Sequence, residues 1–208
     1  MTKSDEKIFL IDDDPSIRRS LPLLLKSSDY SVETFSSSEE FLKQGEFSGT
    51  GCIILDINLG GKSGLELQDE LLNRPYHLPI VFITGKGKVP ESVVALKKGA
   101  ADFLQKPFDD EQLLKAVQEA VAKSRKLKQE FDELRQLNNK LAKLTGRELE
   151  VFKFVVSGML NKQIASELNI AEHTVKLHRG KITEKLGIKS VAELVRVAEK
   201  AGIQPNFK

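Results

Sequence analysis

Three consecutive carboxylates, Asp12, Asp13 and Asp14, follow a short apolar run at Ile8-Phe9-Leu10-Ile11. Another, Asp56, follows the run Cys52-Ile53-Ile54-Leu55. A hydroxyl, Thr84, follows Ile80-Val81-Phe82-Ile83, with Gly85 and Gly87 beside it. An ammonium, Lys106, comes after Asp102–Leu104 and before Pro107. Each run has strand character, so each group lies just past a strand's C-terminal end. In an open parallel sheet, ligands bind beyond that edge at the topological switch point. If the first and third strands are neighbours there, Asp12, Asp13 and Asp56 converge. Clustered carboxylates repel, and each resists ionising alone. A hard divalent cation resolves this, and Mg²⁺ uses few carboxylates plus water and phosphate. Thr84 and Lys106 at the same edge can hold a transferred phosphoryl group. The set therefore supplies a nucleophile, a metal and a cationic clamp, which is the chemistry of phosphoryl transfer onto a carboxylate. Singly, each residue is an ordinary cap or loop residue. The weight comes from four strand ends each supplying the right group in order.

These groups need elements to position them. Weaker strand candidates lie at Ser31–Phe35 and Asp102–Leu104, and helix-like stretches at roughly 15–27, 37–45, 64–73 and 90–98. Four-residue runs rich in β-branched and aromatic side chains predict strands buried on both faces. Strand–helix alternation predicts a doubly wound parallel α/β sheet of five strands. From Asp109 the pattern changes, and no Gly or Pro intervenes before Gly146. Leu113, Ala120, Leu127, Leu134 and Leu141 recur at intervals of seven, with Val117, Ser124, Phe131 and Asn138 between them. That is a heptad pattern over roughly four heptads, with Leu mostly at d and Asn138 at an a position that favours one dimer register. Two readings stay open: a dimeric coiled coil, or an amphipathic helix that packs partly on its own sheet and then runs out as a solvated linker. The last 64 residues read as short helices only, punctuated by Gly158, Asn169-Ile170 and Gly187.

The composition, 40% hydrophobic and 30% charged, is that of an ordinary globular chain. No apolar run approaches the ~18 residues of a membrane span, and Met1–Lys7 holds no apolar stretch for a signal peptide. The single cysteine, Cys52, lies within an apolar run and cannot form an internal disulfide. A reducing cytoplasm is the expected location. The net charge of +2 is unevenly spread: residues 145–208 carry 11 Lys and Arg against 7 Asp and Glu, residues 1–144 carry 21 against 23. The two parts are expected to meet different partners.

The strings FLIDDDPSIRRS, IILDINLGGKSGLEL, IVFITGKGKV and ADFLQKPFD resemble the receiver domain of two-component response regulators, closest to the FixJ-like branch. The resemblance implies that Asp56 is the phosphoacceptor for a sensor histidine kinase. It implies Mg²⁺ (or Mn²⁺) held by Asp12, Asp13, Asp56 and the backbone carbonyl of Asn58. Thr84 and Lys106 would contact the phosphoryl oxygens, and Phe103 aligns with the switch aromatic. Gly60 stands where the family commonly has Pro, which loosens that loop. Lys86, two positions after Thr84, is expected with Asn58 to tune phosphate lifetime. No dedicated acid or base accompanies Asp56, so no enzyme is expected beyond self-phosphorylation from a phosphodonor and slow self-dephosphorylation.

The string LTGRELEVFKFVVSGMLNKQIASELNIAEHTVKLHRGKITEKLGI resembles the LuxR-type helix-turn-helix, the output domain of the NarL/FixJ family. Asn161–Leu168 would be the first helix, residues 169–172 the turn, and a recognition helix would start near His173. Ile164, Ala165, Leu168, Ile170, Val175, Ile182 and Leu186 form its apolar stripe. Lys176, Leu177 and Gly180 align with base-reading positions, and Leu177 can touch a thymine methyl. With no side chain at Gly180, Arg179 or Lys181 would compensate. Lys162, Thr174, His178 and Lys185 would contact phosphates, which position without specifying sequence. The expected organisation is a receiver at 5–124 with its last helix from about 109, a helical linker at 125–143 and a DNA-binding domain at 144–208. The whole reads as a phosphorylation-dependent transcription factor that binds promoter DNA as a dimer and meets RNA polymerase.

Overall fold

A computed structural model describes residues 6–85, 89–188 and 190–206, with residues 89–91 described by backbone alone. Met1, Lys86 and Gly87, named above, lie outside the described residues, as do the first residue of the span 5–124 and the last two of the span 144–208. In chain order the elements are β1 (Lys7–Ile11), α1 (Pro15–Ser27), β2 (Ser31–Phe35), α2 (Ser38–Lys43), β3 (Gly51–Asp56), α3 (Gly64–Leu72), β4 (Ile80–Thr84), α4 (Val89–Lys97) and β5 (Asp102–Gln105). The long α5 (Asp110–Leu141) follows, then α6 (Gly146–Val156), α7 (Asn161–Leu168), α8 (Glu172–Leu186) and α9 (Val191–Lys200). The chain divides into two compact units that meet between Gln129 and Glu130. Among the described residues no helix is long and apolar enough to cross a membrane.

In the first unit five parallel strands lie in the order β2-β1-β3-β4-β5. Side chains alternate across a strand, so the continuous apolar runs feed two cores. Phe9, Ile11, Ile53, Leu55 and Phe82 pack with Phe41, Leu67, Leu71 and Ala95 on one face. Ile8, Leu10, Cys52, Ile54, Val81 and Ile83 pack with Leu21, Leu25, Leu113, Val117, Ala120 and Val121 on the other. Burial on both faces is why these strands lack polar alternation. Gly51 opens β3 where a Cβ would lie 1.8 Å from the Lys7 carbonyl oxygen, so only glycine lets β1 and β3 close at that end.

The heptad stripe of α5 divides along its length. Leu113, Val117 and Ala120 are 0–1% exposed within the sheet's own core. Ser124, at a heptad a position, is also fully buried and accepts a hydrogen bond from the Gly51 N–H at 3.1 Å. Leu141 packs against the core of the second unit. Leu127, Phe131 and Leu134 are half-buried and Asn138 is exposed. The first half of the stripe therefore covers its own sheet, and its last leucine covers the following helices.

The second unit packs Val151, Phe152 and Val155 of α6 against Ile164 and Ala165 of α7, Val175, Ile182 and Leu186 of α8, and Leu194 and Ala198 of α9. Leu168 and Ile170 pack at its margin. Thr145 caps α6 in a capping box with Glu148. Asn169 ends α7 in the left-handed conformation at φ 49°, a geometry Asn tolerates.

Candidate functional site

β1 and β3 are adjacent and in register, with Ile11 opposite Leu55. The next residues, Asp12 and Asp56, therefore emerge side by side at the C-terminal rim. Asp12 is 0% and Asp56 6% exposed, while Asp13 is exposed. Carboxylate oxygens of Asp12, Asp13 and Asp56 lie within 4.8 Å of one another. The register of β4 with β5 sets Thr84 opposite Gln105, and the Lys106 N–H donates to the Thr84 carbonyl at 2.7 Å. From there Lys106 Nζ reaches across the rim to Asp12 Oδ2 at 2.7 Å and Asp56 Oδ2 at 2.8 Å. All five groups thus meet at one rim.

The electrostatics follow from burial and from this contact. Burial raises the Asp12 carboxyl above its ordinary range, although the Lys106 hydrogen bond and the Asp14 N–H oppose the rise. Burial is the largest single influence on Lys106 and draws its ammonium down. The hydrogen bonds and charges of Asp12 and Asp56 together outweigh it and lift the group. Two buried carboxylates thus share one ammonium. An all-oxygen donor set with this spacing fits a hard divalent cation. The acidic pocket of Asp12, Asp13 and Asp56 is compatible with a divalent metal ion.

Several supporting groups were not legible as partners. Asn58, expected as a carbonyl ligand and as a residue that tunes phosphate lifetime, donates its Nδ2 to Thr84 Oγ1 at 3.1 Å and its backbone N–H to Asp56 Oδ1 at 3.0 Å. Arg18 on α1 donates to the Asp12 carbonyl at 2.6 Å. Asp14 caps α1 through the Ser16 N–H at 2.7 Å, and that bond with the Ser16 hydroxyl keeps its carboxyl below the usual range. Gly64 opens α3 so near the acceptor loop that a Cβ would lie 2.4 Å from the Asp56 carbonyl oxygen. Gly60 meets no such constraint: a Cβ there would enter open space. Phe103 on β5 is half-buried, packed at the margin of the core that holds Phe82.

In the second unit α8 buries Val175, Ile182 and Leu186 and turns the opposite face outward. Lys176, Leu177, Gly180 and Lys181 are exposed there, as is Lys162 on α7. Leu177, a large apolar side chain 58% exposed, has no core to join. His173 and Glu184 share this face and were missed as members of it. Helical spacing from Leu177 would have found both. Thr174 and His178 are half-buried, and His178 Nδ1 is turned inward.

Two expected contacts lie elsewhere. Lys185 Nζ is held by Glu148 Oε2 at 2.5 Å and by the Lys143 carbonyl at 3.0 Å, with Glu148 only 3% exposed. The buried carboxylate of Glu148 thus has this ammonium as its partner, and Lys185 is tied to α6 within the unit. Arg179 donates NH1 to Asn161 Oδ1 at 2.9 Å.

With this geometry in place, comparison with known proteins is direct. Residues 8–118 match the family described as response regulator receiver domain, and residues 142–198 match the LuxR family of bacterial regulatory proteins. The chain is 43% identical over 96% of its length to nodulation protein W of Bradyrhizobium diazoefficiens, covering 88% of that protein. It is 40% identical over 95% of its length to the transcriptional regulatory protein FixJ of Azorhizobium caulinodans, covering 94% of that protein. A low-resolution structure of the response regulator StyR superposes with a TM-score of 0.80 at 42% identity, covering 94% of this chain and 99% of that one.

Proposed function

The chain belongs to the two-component response regulators that join a receiver domain to a LuxR-type DNA-binding domain, and from that premise we propose how its residues work. Asp56 is the phosphoacceptor. One of its carboxylate oxygens bonds to the phosphorus of a kinase phosphohistidine, and the P–N bond breaks. The imidazole leaves with the bonding electrons, and an acyl phosphate remains on Asp56. Mg²⁺ or Mn²⁺, held by Asp12, Asp13, Asp56 and the Asn58 carbonyl, would offset the negative charge gathered by this step. Lys106 exchanges its bond to Asp56 for a phosphoryl oxygen. Thr84 exchanges its bond from Asn58 Nδ2 for another, and Phe103 moves inward behind it. The same site accepts small acyl phosphates and releases phosphate slowly, since among the described residues it holds no acid or base beyond these groups.

The phosphoryl group shifts a pre-existing equilibrium between receiver states. The active state pairs two chains, so two modules bind adjacent half-sites on promoter DNA and meet RNA polymerase. The receiver spans 5–124, the linker 125–143 and the DNA-binding domain 144–208, all in the cytoplasm. Lys176, Leu177 and Lys181 face the bases, while Lys162, Thr174 and His178 lie along phosphates. What supports this most is a single observation: Lys106 Nζ bridges the two buried carboxylates that emerge from neighbouring strands. The test is duplex binding by the full-length protein with acetyl phosphate and Mg²⁺, using operator selected from a random library. Wild type binds more tightly when phosphorylated, and Asp56→Asn does not respond. A response that survives Asp56→Asn overturns the assignment.

A further inference from the structure

The recognition helix must sit on its scaffold at a fixed angle, or its side chains miss the groove. Its turn offers little for this purpose. Ala171, the N-cap of α8, makes no side-chain capping bond. At the far end, Lys185 ties α8 to Glu148 of α6. Midway along α8, a side chain crosses to the preceding helix: Arg179 NH1 donates to Oδ1 of Asn161, the first residue of α7, at 2.9 Å. Arg179 lines a small cavity of about 40 Å³ with Val155 of α6, Ile182 and Thr183 of α8, and Val191 and Leu194 of α9. The side chain therefore runs along the inner flank of α8. Leu177 and Gly180 look outward from the exposed face.

Resting on the reading that α8 enters DNA, we infer that Arg179 is a positioning residue and not a DNA contact. Its guanidinium clasps Asn161 and sets the recognition helix against α7. Arginine suits the task, because its planar fork is pre-organised and always charged. The clasp also brings α7's first turn, with the exposed Lys162 one residue beyond Asn161, into fixed register with the reading face of α8. A base- or phosphate-contacting Arg179 would have its charge free at the surface. Here the guanidinium is partly buried and hydrogen-bonded within the unit.

The test uses the full chain carrying Arg179→Ala, Asn161→Ala, the double substitution or Asn161→Asp. Each is titrated with a selected operator duplex and a random-sequence duplex across a salt series. The clasp predicts that Arg179→Ala and Asn161→Ala each weaken both duplexes by a similar factor, about three- to tenfold. The salt slope stays at its wild-type value, and the double variant is no weaker than the worse single one. Asn161→Asp keeps the acceptor and restores binding. Arg179 as a phosphate contact predicts instead a slope reduced by about one on Arg179→Ala. As a base contact it predicts relaxed preference at one position. Either result overturns the clasp, as does additivity of the two alanine substitutions. Should wild type bind neither duplex, the DNA-binding reading falls by itself. Thermal unfolding of the same four variants then decides the clasp: non-additive losses support it and additive losses overturn it.

Discussion

The two ends of this molecule organise charge in opposite ways. At the receiver rim, Asp12, Asp56 and Lys106 face inward, two carboxylates sharing one ammonium within hydrogen-bond distance. On α8, Lys176 and Lys181 face outward, and Lys176 makes a solvent-exposed ion pair to Glu172 at 3.3 Å. The first arrangement is a convergent cluster whose donors fit a divalent cation. The second is half an interface, whose other half is a polyanion. Convergent chemistry can therefore be judged from internal distances. A reading surface is judged by which side chains remain uncommitted once the fold has taken its share. Arg179 and Lys185 belong to that share, although their residue types suggest nucleic acid.

The strongest way to break the comparison is at Lys106. Lys106→Met should slow phosphorylation by acetyl phosphate about a hundredfold, the loss typical of removing one charge-stabilising donor, as followed on a phosphate-affinity gel. A near-wild-type rate would remove Lys106 from the site. Next comes a contrast between two lysines on one helix. Lys185→Ala leaves the buried Glu148 without its cation and should cost about 1–3 kcal/mol. Lys176→Ala should change stability by less than about 0.5 kcal/mol while relaxing one base position. Calorimetry of the full chain with operator selection separates them, and equal stabilities would blur the distinction. Gly64→Ala tests the packing beneath the acceptor: a Cβ 2.4 Å from the Asp56 carbonyl oxygen should cost about 1–3 kcal/mol through overpacking. It should also slow phosphorylation by shifting the loop.

The smallest effect is one of pH. The Lys185 hydrogen bond, and after it the Thr145 N–H, hold the Glu148 carboxyl below its ordinary 4.5. A depressed folded-state value contributes stability above the unfolded value and loses it as pH falls through the folded one. Protection of α6 and α8 amides from hydrogen exchange should therefore weaken below about pH 4.5. Glu148→Gln should flatten that dependence. An unchanged acid limb would remove Glu148 as its source.

Much of the receiver was legible because parallel strands place the residue after each run at a common rim. Asp12, Asp56, Thr84 and Lys106 were therefore found by position alone. Asn58 Nδ2 and Arg18 escaped, since their partners lie across loops and helices that no spacing reports. The stripe on α5 left two readings open for a different reason. A helix covering a sheet and a helix in a coiled coil repeat their apolar residues at nearly the same period. Only burial of Leu113, Val117 and Ala120 against Ile8, Leu10 and Ile54 decides between them. On α8 the motif located the helix and its outer face. It could not report that Asn161 and Glu148 wait across helix crossings to engage Arg179 and Lys185.

The most direct measurement follows radiolabelled acetyl phosphate into the full-length protein with Mg²⁺ and after chelation, in wild type and Asp56→Asn. Label should enter wild type in the presence of Mg²⁺, fall to background on chelation, and never enter Asp56→Asn. Label that enters Asp56→Asn at the wild-type rate, or enters wild type equally without a divalent cation, would contradict the account.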